Sequence, residues 1–214
     1  MSVKPAVCVL DDDADLRASL KLIFRGRNIP YMAFGTAEEF FDGYSEKHVG
    51  CVLLDLKMPG ESGLDILRQM REKNILLPVI LVTGHADVPI AVEAMQAGAF
   101  DVLEKPVDAD VLVEKVQHAF TKAEHYRNLA SEREAVGPKI DMLTPREIEV
   151  LDQMVSGKKN RKIAEELGIS TKTLDIHRAN IMRKMHTKTI ADLVRWRLIS
   201  KAGTAGVMPV IVRA

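Results

Sequence analysis

The chain has 214 residues but only two cysteines, Cys8 and Cys51, one tryptophan and few aromatics of any kind. The absence of a CxxC and of a His/Cys cluster argues against a zinc module and a disulfide scaffold, and it fits a reducing cytoplasm. Both cysteines fall in apolar, strand-like runs, where inert packing is expected. No apolar run approaches the roughly 18 residues needed to cross a bilayer. The opening MSVKPAVCVLDDD passes within a few residues into a strand-like run closed by acids, which is not the pattern of a signal peptide. GxxxxGK[ST] is missing, which argues against a P-loop ATPase, and no GxGxxG accompanies GCVLLD, which disfavours a dinucleotide site. Net charge is also lacking, with 30 basic residues against 30 acidic ones.

That balance hides a gradient. Residues 1–120 carry 12 Lys/Arg against 19 Asp/Glu, whereas residues 141–214 carry 14 against 8. An acidic front and a basic back predict two domains with different partners, the second suited to a polyanion.

The front half alternates short apolar runs with helical periods. AVCVLDD (6–12), residues 29–34, GCVLLD (50–55), PVILVTG (78–84) and DVLEKP (101–106) read as strands. Between them lie helices carrying Leu16, Leu20 and Ile23; Phe40 and Phe41 behind a Thr36/Glu39 capping box; Leu64, Leu67 and Met70; Ile90, Ala94 and Met95 behind a cap at Asp87; and, opened by Asp108, Val111, Leu112 and Val116. Strands with so little polar alternation are covered on both faces. Five βα units with right-handed crossovers predict a doubly wound parallel sheet whose site lies at the carboxyl ends of its strands.

Chemistry-bearing residues sit at those ends. Asp11, Asp12 and Asp13 follow the first strand, Asp55 ends the third, Thr83 the fourth, and Lys105 with Pro106 the fifth. Converging carboxylates repel one another, and a hard divalent cation such as Mg²⁺ resolves the repulsion through oxygen ligands. Lys105 adds a positive charge and Thr83 a hydroxyl. The set suits a pocket that holds a phosphoryl group beside a nucleophilic carboxylate.

VLDDDADLR, LLDLKMPGESGLD, VILVTGHAD and AMQAGAFDVLEKP, with their spacings, resemble the receiver domain of two-component response regulators over residues 3–125. The resemblance implies a flavodoxin-like (βα)5 fold. It implies that Asp55 accepts a phosphoryl group from a sensor histidine kinase, that Asp11, Asp12, Asp55 and the Lys57 backbone carbonyl hold Mg²⁺, and that Thr83 and Lys105 bind phosphoryl oxygens. Met58-Pro59 and Gly63 match the loop after the acceptor strand, where glycine or proline shapes a tight turn. Two positions depart from the family. Where it often has an aromatic switch residue, this chain has Val102, and Phe100 two residues earlier on the same strand parity is not the matching position. In the family the positions of Lys57 and His85 border the path of the hydrolytic water, which implies either a shielded, longer-lived phosphoryl group or surface residues with no role in its lifetime.

Residues 121–140, TKAEHYRNLASEREAVGPKI, read as an extension of the fifth helix broken at Gly137-Pro138. The expected organisation is a receiver over 1–125, a helical extension and linker over 126–139, an all-α four-helix domain over 140–201 and a tail over 202–214.

In the back half, Thr144-Pro145-Arg146-Glu147 is a compact helix start. Ile148, Val150, Leu151 and Met154 form its apolar face. Asn160 is expected to cap a second helix, Ser170 or Thr171 a third with Leu174, Ile181 and Met185 on one face, and Ile190–Ile199 forms a fourth. The glycine turn at IAEELGIS gives a helix-turn-helix whose second helix suits a major groove. Asp175, Ile176, Arg178 and Ala179 are the candidates for base edges. Lys158, Lys159, Arg161, Lys172 and Arg183 are the candidates for phosphates.

LTPREIEVL, GKKNRKIAEELGIS and KTLDIHRANIMRKM resemble the LuxR-type DNA-binding domain over 140–200, and the pairing with this receiver is most similar to the FixJ-like subgroup. The resemblance maps the reading positions to Asp175, Ile176 and Ala179. Several relatives have lysine at the first and third of these, and Asp175 can instead accept from a cytosine amino group or orient a neighbouring arginine. His177 matches a partly buried family histidine. Dimerisation through the last helix is implied, with Trp196 contributing to it or completing the small core. Together these imply a cytoplasmic, non-enzymatic, phosphorylation-controlled regulator, a homodimer on promoter DNA with RNA polymerase as a further partner, more often an activator, and no membrane association. A phosphatase would need a second carboxylate beside Asp55, where Leu56 and Lys57 stand. A receiver driven by protein contact alone fits poorly with an intact acidic pocket, and nothing supports anti-termination through RNA.

Overall fold

The computed structural model describes residues 4–44, 49–84 and 88–201, with Val49 described through its backbone alone. The expectations placed on His85, Asp87 and the tail 202–214 lie outside the described residues. The chain divides into two units, with the boundary between Tyr126 and Arg127.

The first unit runs β1 (Ala6–Leu10), α1 (Ala14–Gly26), β2 (Tyr31–Phe34), α2 (Ala37–Gly43), β3 (Val49–Asp55), α3 (Gly63–Glu72), β4 (Val79–Thr83), α4 (Val88–Gln96), β5 (Asp101–Glu104) and the start of α5 (Ala109–Asp141). All pairings are parallel and the order is β2-β1-β3-β4-β5. Strand residues alternate between two cores. Cys8, Leu10, Val52 and Leu54 pack with Phe40, Leu64, Leu67 and Met70 on one face. Val7, Val9, Cys51 and Leu53 pack with Phe24, Leu112, Val116 and Ala119 on the other. Helices therefore cover both faces, which is why the strands read as unbroken apolar runs.

Local chemistry sets the helix ends. Asp13 caps α1 by accepting from the Asp15 and Leu16 amides at 2.9 and 3.1 Å. Only half of the expected Thr36/Glu39 box forms: Thr36 Oγ1 accepts from the Glu39 amide, but Glu39 Oε2 turns to the Gly35 amide at 2.8 Å. Phe100 and Val102 do not share a face. Phe100 precedes β5 and packs with the α1/α5 core, whereas Val102 packs with the opposite one, because strand parity starts only at Asp101.

The second unit carries the end of α5, then α6 (Pro145–Val155), α7 (Asn160–Glu166), α8 (Thr171–Lys184) and α9 (Ile190–Lys201). The expected break at Gly137-Pro138 does not occur, and α5 continues through Pro138 to Asp141. Proline removes one helical hydrogen bond there. Val136 and Ile140, both buried in the second core with Val150, Leu151, Leu174 and Ile181, hold the turn in place. Asn160 does not cap α7; the cap position is Lys159, which offers no side-chain acceptor. Ser170 caps α8 as expected, accepting from the Thr173 amide at 3.0 Å. Trp196 is half-buried against the second core, with the Lys139 ammonium 4.4 Å from its ring centroid.

Candidate functional site

The strand order reverses between β1 and β3, and a crevice at the carboxyl ends of the strands follows from that reversal. Asp11 leaves β1 and Asp55 ends β3 at this point. Both carboxylates are buried, and carboxylate oxygens of Asp11, Asp12 and Asp55 lie within 4.8 Å of one another. Lys105 forks between two of them: Nζ is 3.0 Å from Asp11 Oδ2 and 3.0 Å from Asp55 Oδ1. Its amide donates to the Thr83 carbonyl at 2.7 Å, which joins the ends of β5 and β4. Thr83 is buried at that end. The Arg17 guanidinium donates to the Asp11 carbonyl at 2.5 Å and steadies the start of the acidic turn.

Burial pushes the Asp55 carboxyl above its ordinary range; Lys105 pulls it down, and Asp11 and Asp12 push it up again. Burial lowers the Lys105 ammonium, but its bonds to Asp11 and Asp55 outweigh this and raise it, so it stays charged. The pocket holds more negative charge than Lys105 neutralises. Hard oxygen donors at this spacing fit a divalent cation.

The loop after Asp55 depends on two glycines for different reasons. Gly60 has φ +82° and supplies the turn conformation. Gly63 supplies space: a Cβ there would stand 2.2 Å from the Asp55 carbonyl oxygen. Gly63 therefore serves close approach rather than turn shape, a role its place in the motif did not disclose. Lys57 lies in this loop with an exposed side chain. Cys8 and Cys51 are fully buried, burial pushes the Cys8 thiol up to about 12 and raises that of Cys51 as well, and neither acts as a nucleophile.

In the second unit α8 presents Asp175, Ile176 and Ala179 to solvent. Arg178 is drawn in: its side chain is 21% exposed, Nη1 is 3.5 Å from Asp175 Oδ1, and Nε is buried without a hydrogen-bond partner. Lys159, Arg161, Lys172 and Arg183 are exposed, whereas Lys158 is half-buried and paired with Glu166 at 2.5 Å. His177 is half-buried.

The position of α8 rests on Glu147. Its carboxylate completes the α6 capping box and accepts from Lys184 Nζ at 2.7 Å. Burial pushes this carboxyl up, but the Lys184 and Thr144 donors outweigh it and hold it below its ordinary value. The capping half was legible in the sequence; the partner 37 residues away was not. Glu147→Ala is expected to cost about 3 kcal/mol, through a lost cap and an abandoned cation. Urea unfolding of the second unit measures it. Because the folded carboxyl is depressed, this contribution is present above the unfolded glutamate value and is lost as pH falls through the folded one.

Comparison with known proteins gives a consistent picture. Residues 7–117 match the response regulator receiver domain family, and residues 141–197 match the LuxR family of bacterial regulatory proteins. The chain is 36% identical over 203 residues to the transcriptional regulatory protein FixJ of Bradyrhizobium diazoefficiens, covering 95% of this chain and 98% of that one. It is 38% identical over 191 residues to the C4-dicarboxylate transport transcriptional regulatory protein DctR of Rhodobacter capsulatus, covering 88% and 97%. Among solved structures it is similar to the response regulator StyR, with TM-score 0.67, 32% identity and coverage of 92% and 99%. It is also similar to full-length FixJ from B. japonicum, with TM-score 0.55, 35% identity and coverage of 93% and 98%.

Proposed function

The chain belongs to the response regulators that join a receiver domain to a LuxR-type DNA-binding domain, and from this membership we propose that Asp55 is the phosphoacceptor that controls its binding to promoter DNA. It is a transcription regulator of the two-component type, with a sensor kinase and DNA as partners. The observation that carries the assignment of Asp55 is the Lys105 fork, which brings one ammonium to two buried carboxylates from separate strands.

Asp11, Asp12, Asp55 and the Lys57 carbonyl would hold Mg²⁺, which supplies charge neutralisation for the incoming phosphoryl group. An Asp55 oxygen attacks the phosphorus of the kinase phosphohistidine. A P–O bond forms, the P–N bond breaks, and the leaving imidazole nitrogen takes a proton from solvent. Lys105 then releases its Asp55 bond in favour of a phosphoryl oxygen, and the Thr83 hydroxyl donates to another. With Val102 in place of an aromatic, the change is read through Thr83 and the β4 and β5 backbones, and the receiver population shifts.

The receiver spans 1–125, the helical extension and linker 126–139, and the DNA-binding domain 140–201. Asp175, Ile176 and Ala179 face base edges, and Arg178 joins them on leaving Asp175. Lys159, Arg161, Lys172 and Arg183 face phosphates, and Lys158 joins them on leaving Glu166. The phosphorylated protein is a dimer on two half-sites, works beside RNA polymerase in the cytoplasm, and activates transcription. No helix among the described residues is long and apolar enough to cross a membrane.

The test uses the full chain with Mg²⁺ and a small phosphodonor, following mass and selection from random duplex DNA. The expected result is a gain of one phosphoryl group and tighter selection of a two-half-site sequence. Selection that does not respond to phosphorylation would overturn phosphorylation as the control.

A further inference from the structure

On the α1/α5 face of the sheet lies a cavity of about 510 Å³, partly open to solvent. Its apolar wall is formed by Val9 and Leu53 of the sheet, Leu16, Leu20 and Ile23 of α1, and Leu112 of α5. Protein interiors are close-packed and leave few voids larger than a water molecule. An apolar cavity of about 150 Å³ already holds a benzene-sized molecule, and ligand pockets generally begin near 300 Å³.

The cause lies in α1. Leu16, Leu20 and Ile23 fall at helical spacing, which predicts a stripe closed down on the sheet. Only Phe24 of this helix is fully buried. The three stripe residues stay half-buried, and neither Ser19 on the helix nor Val107 beyond β5 is large enough to fill the gap.

The opposite end of the cavity is polar and charged with one sign in excess. Asp11, Asp13 and Asp55 line it, with Lys105 the single cation among the described lining residues. Asp11 and Asp55 share that ammonium at 3.0 Å each, and Asp13 is satisfied by backbone amides. A carboxylate or phosphate attached to an apolar body would meet three acids. An ammonium would meet complementary charge.

We propose that this cavity binds a small amphipathic amine, with its apolar body between α1 and the sheet and its ammonium beside Asp11 and Asp55, and that the bound amine excludes the divalent cation from the acidic pocket. The exclusion rests on the reading of that pocket as a Mg²⁺-dependent phosphorylation site. The cavity and its charge do not. A ligand of this class stabilises the unphosphorylated receiver, because cation and amine compete for the same carboxylates.

The test titrates the full chain with 4-phenylbutylamine by calorimetry, beside 4-phenylbutyrate and 4-phenylbutanol. Native protein is expected to bind the amine at least tenfold more tightly than either analogue, and saturating Mg²⁺ to weaken the amine at least tenfold. Leu20→Trp, which fills the cavity, is expected to weaken the amine by a similar factor. Ser19→Trp, at an exposed rim position, does the same without burdening the core. Three results each overturn the proposal: no amine binding, equal binding of the carboxylate, or binding unchanged in both variants. Binding unaffected by Mg²⁺ overturns the exclusion. Phosphorylation of the ligand-free protein, read by mass, is measured alongside. Its failure sinks the phosphorylation reading, while the variant titrations still decide the cavity.

Discussion

Asp55→Asn is expected to abolish phosphoryl uptake from a small donor and to remove the phosphorylation-induced tightening on DNA, while leaving the fold intact. Asparagine keeps the shape of the side chain but has no carboxylate nucleophile. Lys105 keeps its bond to Asp11 Oδ2, so no buried cation is abandoned. The stability change has a definite sign. Burial and the neighbouring Asp11 and Asp12 raise the Asp55 carboxyl despite Lys105. A raised carboxyl binds its proton more tightly in the folded state, so ionising it costs stability as pH climbs from the unfolded value through the folded one. Without Mg²⁺, the variant is therefore expected to melt higher than the native protein near neutral pH, with the gap closing below the unfolded carboxylate value. Added Mg²⁺ should stabilise the native protein and narrow the gap. Mass spectrometry, selection from random duplexes and melting across pH read the three parts. A variant that still takes up one phosphoryl group would remove Asp55 from the mechanism.

Gly63→Ala is expected to disrupt the same pocket from outside the set of reacting groups. The added methyl carbon would stand 2.2 Å from the Asp55 carbonyl oxygen and 2.9 Å from the Leu56 Cα, both of them backbone. The turn cannot open freely, because the Gly63 amide donates to the Leu56 carbonyl at 2.8 Å. Either that bond is lost or the end of β3 moves, carrying the Asp55 carboxylate with it. Overpacking of this kind costs about 3 kcal/mol. A displacement near 1 Å slows phosphoryl uptake about 100-fold. Gly60→Ala is the control. Gly60 has nothing within 4 Å, and its φ of +82° is the sole obstacle. It should cost about 1 kcal/mol through backbone strain and leave the uptake rate nearly unchanged. Urea unfolding with time-resolved mass measurement distinguishes the two variants. Equal effects would mean that turn shape, rather than close approach, is what both glycines serve.

Much of this protein is decided by patterns a few residues long. An apolar run closed by an acid is both a covered strand and a strand end, so AVCVLDD and GCVLLD alone place Asp11 and Asp55 at strand ends. Caps at Thr144 and Ser170 are equally local, since donor and acceptor lie three residues apart. Local rules failed where a competing partner was close at hand or far along the chain. Glu39 found the Gly35 amide instead of closing its box. Pro138 was expected to end a helix, but the burial of Val136 and Ile140 carries α5 past it.

The sequence by itself determined the two-unit organisation, the strand ends that bear acids, the acceptor candidate and the helix-turn-helix, because each is written in contiguous periodicity and charge. Only the tertiary structure decided which groups meet. Lys105 reaches Asp11 across 94 residues and Asp55 across 50 because strand order, not chain order, sets the neighbours. Gly63 matters because a loop returns onto the carbonyl of Asp55, and Lys184 matters because α8 lies against α6. The gap beneath α1 exists because three apolar side chains at helical spacing are only half-buried over the sheet. Spacing reports which residues share a face, and packing alone decides whether that face is filled.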